Sequence, residues 1–418
     1  MTEKSPQELY QERLKRVNDA IQLKVPDRVP FFPFTHFYPA KYVGMTFEEV
    51  FYDHEKWSEA NKRTIVDLEP DLYANAGIPA FTAGQAFEAV DFKQIKWPGH
   101  GVPADHTHQF VEGEYMKADE YDALLDDPAD YTVRTYMPRI YGTLQPFTML
   151  PPLKAMLFGY AAMGMTAMLA MPEIAKALES LQKAGLEAAK RAAVMDATDA
   201  EIAALGFPAF SSAAVVVPFD VVSDMLRGMR GTMLDMYRQP DKLLAAMDKL
   251  LPMLIGMSLS VAAASGNPRV FIALHRGADG FLSLEQFKTF YWPGMKALIL
   301  ALIDAGLTPC PFFEGRYDQR LELLTELPKG KALGLFDRTD VFRAKEIIGD
   351  TMCIAGNMPM SLLQHGTPEE VKDYARKLID VVGKDGGYMM ACSSVMDECD
   401  PALVKVWADF TREYGVYR

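Results

Sequence analysis

Residues 308–318 read TPCPFFEGRYD. Cys310 to Phe313 is a short apolar run of the length of a buried strand. It ends on Glu314, and Gly315 follows at once. A carboxylate at the end of a buried strand has two readings: an ion pair with Arg316, or a side chain aimed into an active site. Gly315 lets the chain turn there without a side-chain clash. Alternation along the strand puts Cys310, Phe312 and Glu314 on one side. The segments around this stretch decide what it is for.

Seven further runs read as strands: 28–37 (RVPFFPFTHF), 70–77 (PDLYANAG), 206–215 (GFPAFSSAAV), 268–275 (PRVFIALH), 331–337 (KALGLFD), 351–356 (TMCIAG) and 387–392 (GYMMAC). Helical patterns separate most of them. Residues 5–22 form one, with Ser5 as cap, Pro6 in the first turn and Glu8 completing a capping box. Another covers 47–68. Ser283 with Gln286, and Thr367 with Glu370, make two more capping boxes. Residues 80–200 break the rhythm, with a hairpin pattern over 92–116 and two long helical patterns, about 138–168 and 173–196. Eight strands alternating with helices predict an α/β fold, a (β/α)8 TIM barrel. It has an N-terminal helix, a single domain over 1–418, and an insertion of about 80–200 between strands 2 and 3. An open doubly wound sheet is the alternative, but no GxGxxG follows a strand, so a dinucleotide fold has no support.

Such a barrel carries its chemistry at the C-terminal ends of its strands. His36 ends the first. His275 ends the fourth, with Arg276 and Asp279 just beyond. Glu314 ends the fifth, and Asp337, Arg338 and Asp340 end the sixth. Asn357 follows the seventh, and Cys392, Ser393 and Ser394 end the eighth. Glu314 is therefore one member of a ring of polar residues.

Composition narrows the function classes. The 418 residues carry a formal net charge of −13, with 49% hydrophobic and 24% charged residues. That balance affords a large core and argues against nucleic acid and against an anionic membrane surface. The four cysteines, Cys310, Cys353, Cys392 and Cys399, form no CxxC pair and no disulfide framework, which fits a reducing cytoplasm. The charged start MTEKSPQELYQERLKRVNDA lacks the apolar core of a signal peptide, and no membrane span is read. Of the 25 methionines four cluster at 163–172, MGMTAMLAMP, either as soft core filling or as a pliable apolar surface for a ligand or partner.

Two stretches, SLEQFKTFYWPGMKALILALIDAGLTP (283–309) and GNMPMSLLQHGTPEEVKDYARKLIDVVGKDGGYMM (356–390), resemble the uroporphyrinogen decarboxylase superfamily. The likeness runs over nearly the whole chain, and the family fold is a (β/α)8 barrel. The resemblance implies one of two chemistries: cofactor-free decarboxylation of tetrapyrrole acetates, or methyl transfer to or from corrinoids, often with zinc. The decarboxylase branch carries an arginine-rich motif near the first strand and a GHG motif after the last; this chain has VPFFPFTHF (29–37) and ACSSV (391–395) there. The thiol methyltransferases place HxCG at the end of the fifth strand; here Phe312 and Glu314 stand at the His and Cys positions.

The expected function is methyl transfer between a small methylated donor, such as a methoxy compound, and a corrinoid protein. A decarboxylase-like enzyme acting on a tetrapyrrole or other carboxylate is the alternative, and a non-enzymatic binding protein is a third class. Glu314, His275 and Asp337 are the candidate catalytic residues. His36, Phe312, Arg276, Asp279, Asn357 and Ser394 are the candidate substrate contacts. Zinc suits carboxylate, imidazole and thiolate ligands, here His275 and Glu314 with Cys392 or, alternatively, Asp337 as the third. It would act as a Lewis acid on a departing oxygen. The opposing reading is a charged pocket in which Glu314 pairs with Arg316 or Arg276. His100, His106 and His108 read as solvated loop histidines and Cys353 as core. Cys399 reads as inert, because nearby acids raise its pKa. The protein is expected to be cytoplasmic, with a homodimer as its expected assembly.

Overall fold

The computed structural model describes residues 4–417. Ten strands appear in chain order: β1 Phe31–Phe32, β2 Ile95–Pro98, β3 Gly101–Val102, β4 Gln109–Phe110, β5 Ala213–Val216, β6 Arg269–Leu274, β7 Thr308–Phe313, β8 Leu333–Phe336, β9 Cys353–Ala355 and β10 Tyr388–Ala391. Seven form a parallel sheet in the order β1-β10-β9-β8-β7-β6-β5. The chain around Tyr73 joins the two edges of that sheet. Asp71 N donates to Phe31 O at 2.8 Å, Tyr73 N to Pro208 O at 3.3 Å, and Phe210 N to Tyr73 O at 2.9 Å. Backbone hydrogen bonds therefore run a complete circuit.

Side chains on the inner face agree with that curvature. Phe34, just past β1, has its ring 6.0 Å from Phe312 of β7 and 5.4 Å from Phe271 of β6. In sheet order β10, β9 and β8 separate β1 from β7. A flat sheet would hold those rings far apart, since neighbouring strands are spaced by about 4.8 Å. The arrangement is consistent with a TIM barrel whose interior is filled by aromatic rings.

β7 holds two prolines inside a central strand, which normally costs ladder hydrogen bonds. Register explains why they are tolerated. Thr308 N donates toward β6, to Pro268 O, and Phe313 O accepts from Asp337 N on the β8 side. Alternation then turns Pro309 and Pro311 toward β8. Pairing with β8 begins only at Phe312↔Leu335, so neither missing N–H would have had a partner in it.

The three capping boxes form as the sequence predicts, at Ser5–Glu8, Ser283–Gln286 and Thr367–Glu370. Other boundaries move. The strand expected over 28–37 contracts to two residues, and that over 70–77 to a single parallel bridge, Tyr73↔Ala209. The helix expected over 47–68 divides at Asp53, whose carboxylate caps the second part through Lys56 N. The helical pattern over 138–168 breaks into short turns, because Pro138, Pro146, Pro151 and Pro152 interrupt the ladder. The second pattern runs on as one helix, Pro172–Ala204. Helix Pro240–Ser265 is long and apolar enough to cross a membrane by length and composition, but it packs on β5 and on helix Trp292–Asp304 through residues such as Leu243 and Leu250.

Candidate active site

The floor of the site is the aromatic layer of Phe34, Phe271 and Phe312, with Phe210 and Phe32 beneath it. Above it β7 ends. Gly315 takes φ +86°, which an L side chain rarely adopts, and its N–H donates to Asp337 Oδ2 at 3.0 Å. That turn leaves Glu314 half-buried at the mouth.

Glu314 does not pair with Arg316. Its Oε1 lies 3.7 Å from His275 Nε2. His275, directly after β6, is fixed by two aspartates that lie four residues apart on one helical face after β5. Asp220 is fully buried and accepts from His275 N (2.8 Å), Arg276 N (3.2 Å) and the Tyr291 hydroxyl (2.7 Å). It thereby anchors the backbone that carries the imidazole. Asp224 accepts from His275 Nδ1 at 2.6 Å and from Arg276 Nε at 3.0 Å.

Charge states follow from these contacts. Burial pulls the His275 pKa down, but the Asp224 hydrogen bond and the charges of Glu314 and Asp220 win and raise it to about 9. Burial pushes Asp220 up to about 7. Burial also pushes Asp224 upward, but His275 and Arg276 outweigh it and hold that carboxyl below its ordinary range. Burial raises Glu314, with His275 opposing and Asp337 adding to the rise. Asp337 is itself raised by burial. The site is thus an imidazolium on a carboxylate, facing two carboxyl groups that hold protons more tightly than usual.

The other sequence candidates fall into place around this group. Asn357 donates its amide to Asp337 O (2.9 Å) and Thr339 O (3.0 Å), holding the loop that carries Asp337. Asp279 pairs with the buried Arg320. Ser394 lies partly buried after β10. Cys392 is not brought to His275 and Glu314. It is buried, bridges Met358, and has its thiol pushed up to about 12 by burial. Among the described residues no three His, Cys, Asp or Glu side chains converge closely enough to share a metal ion. Cys392 stands elsewhere, so the expected set of His275, Glu314 and Cys392 is not assembled, and no step below is routed through a metal.

His36 bonds Asp397 Oδ1 through Nδ1 at 2.8 Å, and Phe37 N donates to the same oxygen at 3.0 Å. Beside it stands His108, with ring centroids 6.3 Å apart. His108 is no solvated loop histidine. Its ring packs on Phe81 at 4.2 Å and Phe110 at 4.9 Å, and its Nδ1 is buried without a partner.

Sequence reasoning missed Asp220, Asp224 and Asp397. The signal for the first two was present: PFDVVSD, 218–224, places two aspartates at i and i+4 straight after a strand. Asp397 lay within MDECD, where attention went to Cys399.

Comparison with known proteins fits this architecture. The family model "Uroporphyrinogen decarboxylase (URO-D)" matches residues 146–414, more than half of the chain. Uroporphyrinogen decarboxylase of Chlorobium luteolum is 27% identical over 176 residues, which cover 39% of this chain and 50% of that protein. The Chlorobaculum parvum enzyme is 24% identical over 183 residues, covering 43% and 51%. The chain thus spans about half the length of the curated relatives it matches. Among solved structures, a methyltransferase from Methanosarcina mazei superposes with a TM-score of 0.60 at 13% identity, over 96% of this chain and 98% of that one. At that identity the likeness speaks for the fold.

Proposed function

The chain belongs to the uroporphyrinogen decarboxylase family, and from that premise we propose that it is a methyltransferase. It would move a methyl group between a small methylated donor, such as a methoxy compound, and a corrinoid carried on a partner protein. The observation that carries the reading is the Asp224–His275–Glu314 array above an apolar floor. Taking a methyl from oxygen breaks a C–O bond and leaves its electron pair on that oxygen. The oxygen departs readily only if a proton meets it. His275 carries that proton on Nε2, which points to the mouth, and Asp224 holds the imidazole in its charged form. Glu314 stands beside Nε2–H at the mouth and orients it toward the donor oxygen, while Phe312, Phe34 and Phe271 exclude water beneath the methyl group. The reduced corrinoid, when bound, supplies the nucleophile that takes the methyl carbon.

The test is methyl transfer from a panel of methoxy compounds to a Co(I) corrinoid, followed by absorbance. Glu314→Gln should lower the rate by on the order of 100-fold or more. Equal rates in the two proteins would remove Glu314 from the mechanism. The decarboxylase reading has the family model and the curated relatives in its favour, and the same acid could protonate the carbon left by loss of CO2. Release of CO2 from a carboxylate substrate, with no methyl transfer, would replace the first reading by the second.

A further inference from the structure

The mouth of the barrel has a second pole. His36 lies two residues beyond Phe34, as Glu314 lies two residues beyond Phe312, and the rings of Phe34 and Phe312 stand 6.0 Å apart in the floor. The insertion links the two sides. The ring of His108 is 6.3 Å from that of His36, while Glu112 comes within 4.0 Å of Arg276 and accepts from Met229 N at 2.8 Å. The four-residue step from His108 to Glu112 spans at most about 14 Å of extended chain. His36 and the Asp224–His275 pair therefore border the same opening above the aromatic floor.

Acid catalysis by His275 makes no use of His36, yet that ring is as firmly held. It is buried, with 8% of its surface exposed. Its Nδ1 bonds Asp397 Oδ1 at 2.8 Å, and Phe37 N donates to the same oxygen at 3.0 Å, which fixes the carboxylate. The proton of the neutral ring thus sits on Nδ1, and Nε2 offers a lone pair. Among the described residues nothing donates to Nε2. A buried acceptor without a donor is costly, so it favours one from a bound molecule.

The walls beside His36 are flat and apolar. Phe81 lies 5.9 Å from its ring and 4.2 Å from that of His108. Phe110, 64% exposed, packs on Phe81 and His108 at 5.4 and 4.9 Å. His108 joins them as a neutral ring, since burial and the neighbouring His36 push its pKa down to about 4. Such a rim suits a second aromatic ring. Charge argues against an anionic ligand. Asp397 stands at this pole and Asp224, Glu314 and Asp337 at the other, in a chain of net charge −13.

We propose that His36, held by Asp397, determines specificity by accepting a hydrogen bond from a hydroxyl on the substrate, and that the substrate is a methoxyarene carrying a ring hydroxyl. The ether rests on the methyl-transfer reading; the hydroxyl and the ring rest on His36 and its aromatic walls. The arene lies over Phe34 and Phe312, with its ether oxygen at His275 and its hydroxyl at His36. An uncharged hydroxyl brings the donor that Nε2 lacks and adds no negative charge to an acidic mouth. A methyl group in its place would cover Nε2 and leave it unpaired, which is how polar sites reject apolar isosteres.

The full-length protein is tested with the 2-, 3- and 4-methoxyphenols against the matching methoxytoluenes and methoxybenzoates. Methyl transfer to a Co(I) corrinoid and binding by calorimetry are both read. In wild type at least one methoxyphenol should exceed its methoxytoluene by about 10-fold or more in kcat/KM and in affinity. His36→Phe should bring that ratio close to one. His36→Gln sets an amide oxygen near the place of Nε2 and should keep part of the preference. Asp397→Asn leaves the ring but weakens its anchor, and should lower the ratio several-fold. Thermal melts check that each variant folds; should His36→Phe not fold, the ratios in the other two variants decide. No preference in wild type, a preference that survives His36→Phe, a ratio unmoved by Asp397→Asn, or methoxybenzoates favoured over methoxyphenols would each overturn the proposal. Binding that discriminates through His36, with no methyl transfer from any of these compounds, would uphold the hydroxyl subsite and remove the methyl-transfer reading.

Discussion

His275 and His108 are two imidazoles withdrawn from water, and their protons behave oppositely. Burial lowers the pKa of each, since it penalises the charged ring. At His275 three carboxylates reverse that effect and the pKa rises to about 9. At His108 the neighbours are Phe81, Phe110 and Phe37, with His36 adding repulsion, and the pKa falls to about 4. Asp397 pulls the other way, but it is already bonded to His36. Residue type and burial are therefore no guide to charge. The carboxylates that face the ring decide whether a histidine is an acid or an inert aromatic.

The sharpest way to break the contrast is to remove the carboxylate that makes it. Asp224→Asn keeps the burial of His275 and takes away its strongest partner. The His275 titration should move from about 9 to near or below the ordinary imidazole value of about 6.5. Methyl transfer near neutral pH should fall by on the order of 100-fold. Histidine NMR titration and the corrinoid absorbance assay read the two effects. A His275 titration left in place would show that Asp224 is not what holds the proton.

A smaller effect follows from pH alone. In wild type the proton-bearing form of His275 is lost as pH rises through about 9, so the rate should decline over that range. Stability should follow. The folded pKa lies above the unfolded value, so the contribution of His275 is fully present below about pH 6.5 and is lost as pH rises through the folded pKa. A flat rate profile from pH 7 to 10 would assign proton donation to another group.

Much of this was legible in the sequence, and the failures have physical causes. Strand β7 was read with its true end, because an apolar run meeting a glycine marks both the strand and its turn. The capping boxes were equally local and equally legible. Asp220 and Asp224 were not, because two acids four residues apart look the same on a solvated helix as on one aimed at a histidine from another strand. Cys392 follows a strand, as a ligand should, but its thiol is buried in the packing, and a one-residue change of facing is invisible in composition. His108 read as solvated because HTH is polar; the rings that cover it come from Phe81 and Phe37, on other parts of the chain.

The mildest expected effect is at His108, and it isolates the other half of the contrast. A base whose folded pKa is depressed costs nothing while both states are neutral, above about pH 6.5. As pH falls, the unfolded chain takes up a proton that the folded ring refuses. Stability therefore drops from about pH 6.5 down to about 4, and no further below that. His108→Phe removes the titration. Phenylalanine has nearly the ring size of imidazole, and the site already offers aromatic contacts at 4.2 and 4.9 Å. No hydrogen bond at Nδ1 is lost, because that nitrogen has no partner. At pH 7.5 the two proteins should melt within a few degrees of each other, as expected for a near-isosteric swap costing about 1 kcal/mol or less. At pH 5 the variant should have gained relative to wild type, since the other groups titrate alike in both and cancel in the difference. Thermal melts of both proteins across that range provide the measurement. Parallel decline of the two curves would mean that His108 takes up its proton in the folded state as freely as in the unfolded one, and the contrast with His275 would then rest on the carboxylates alone.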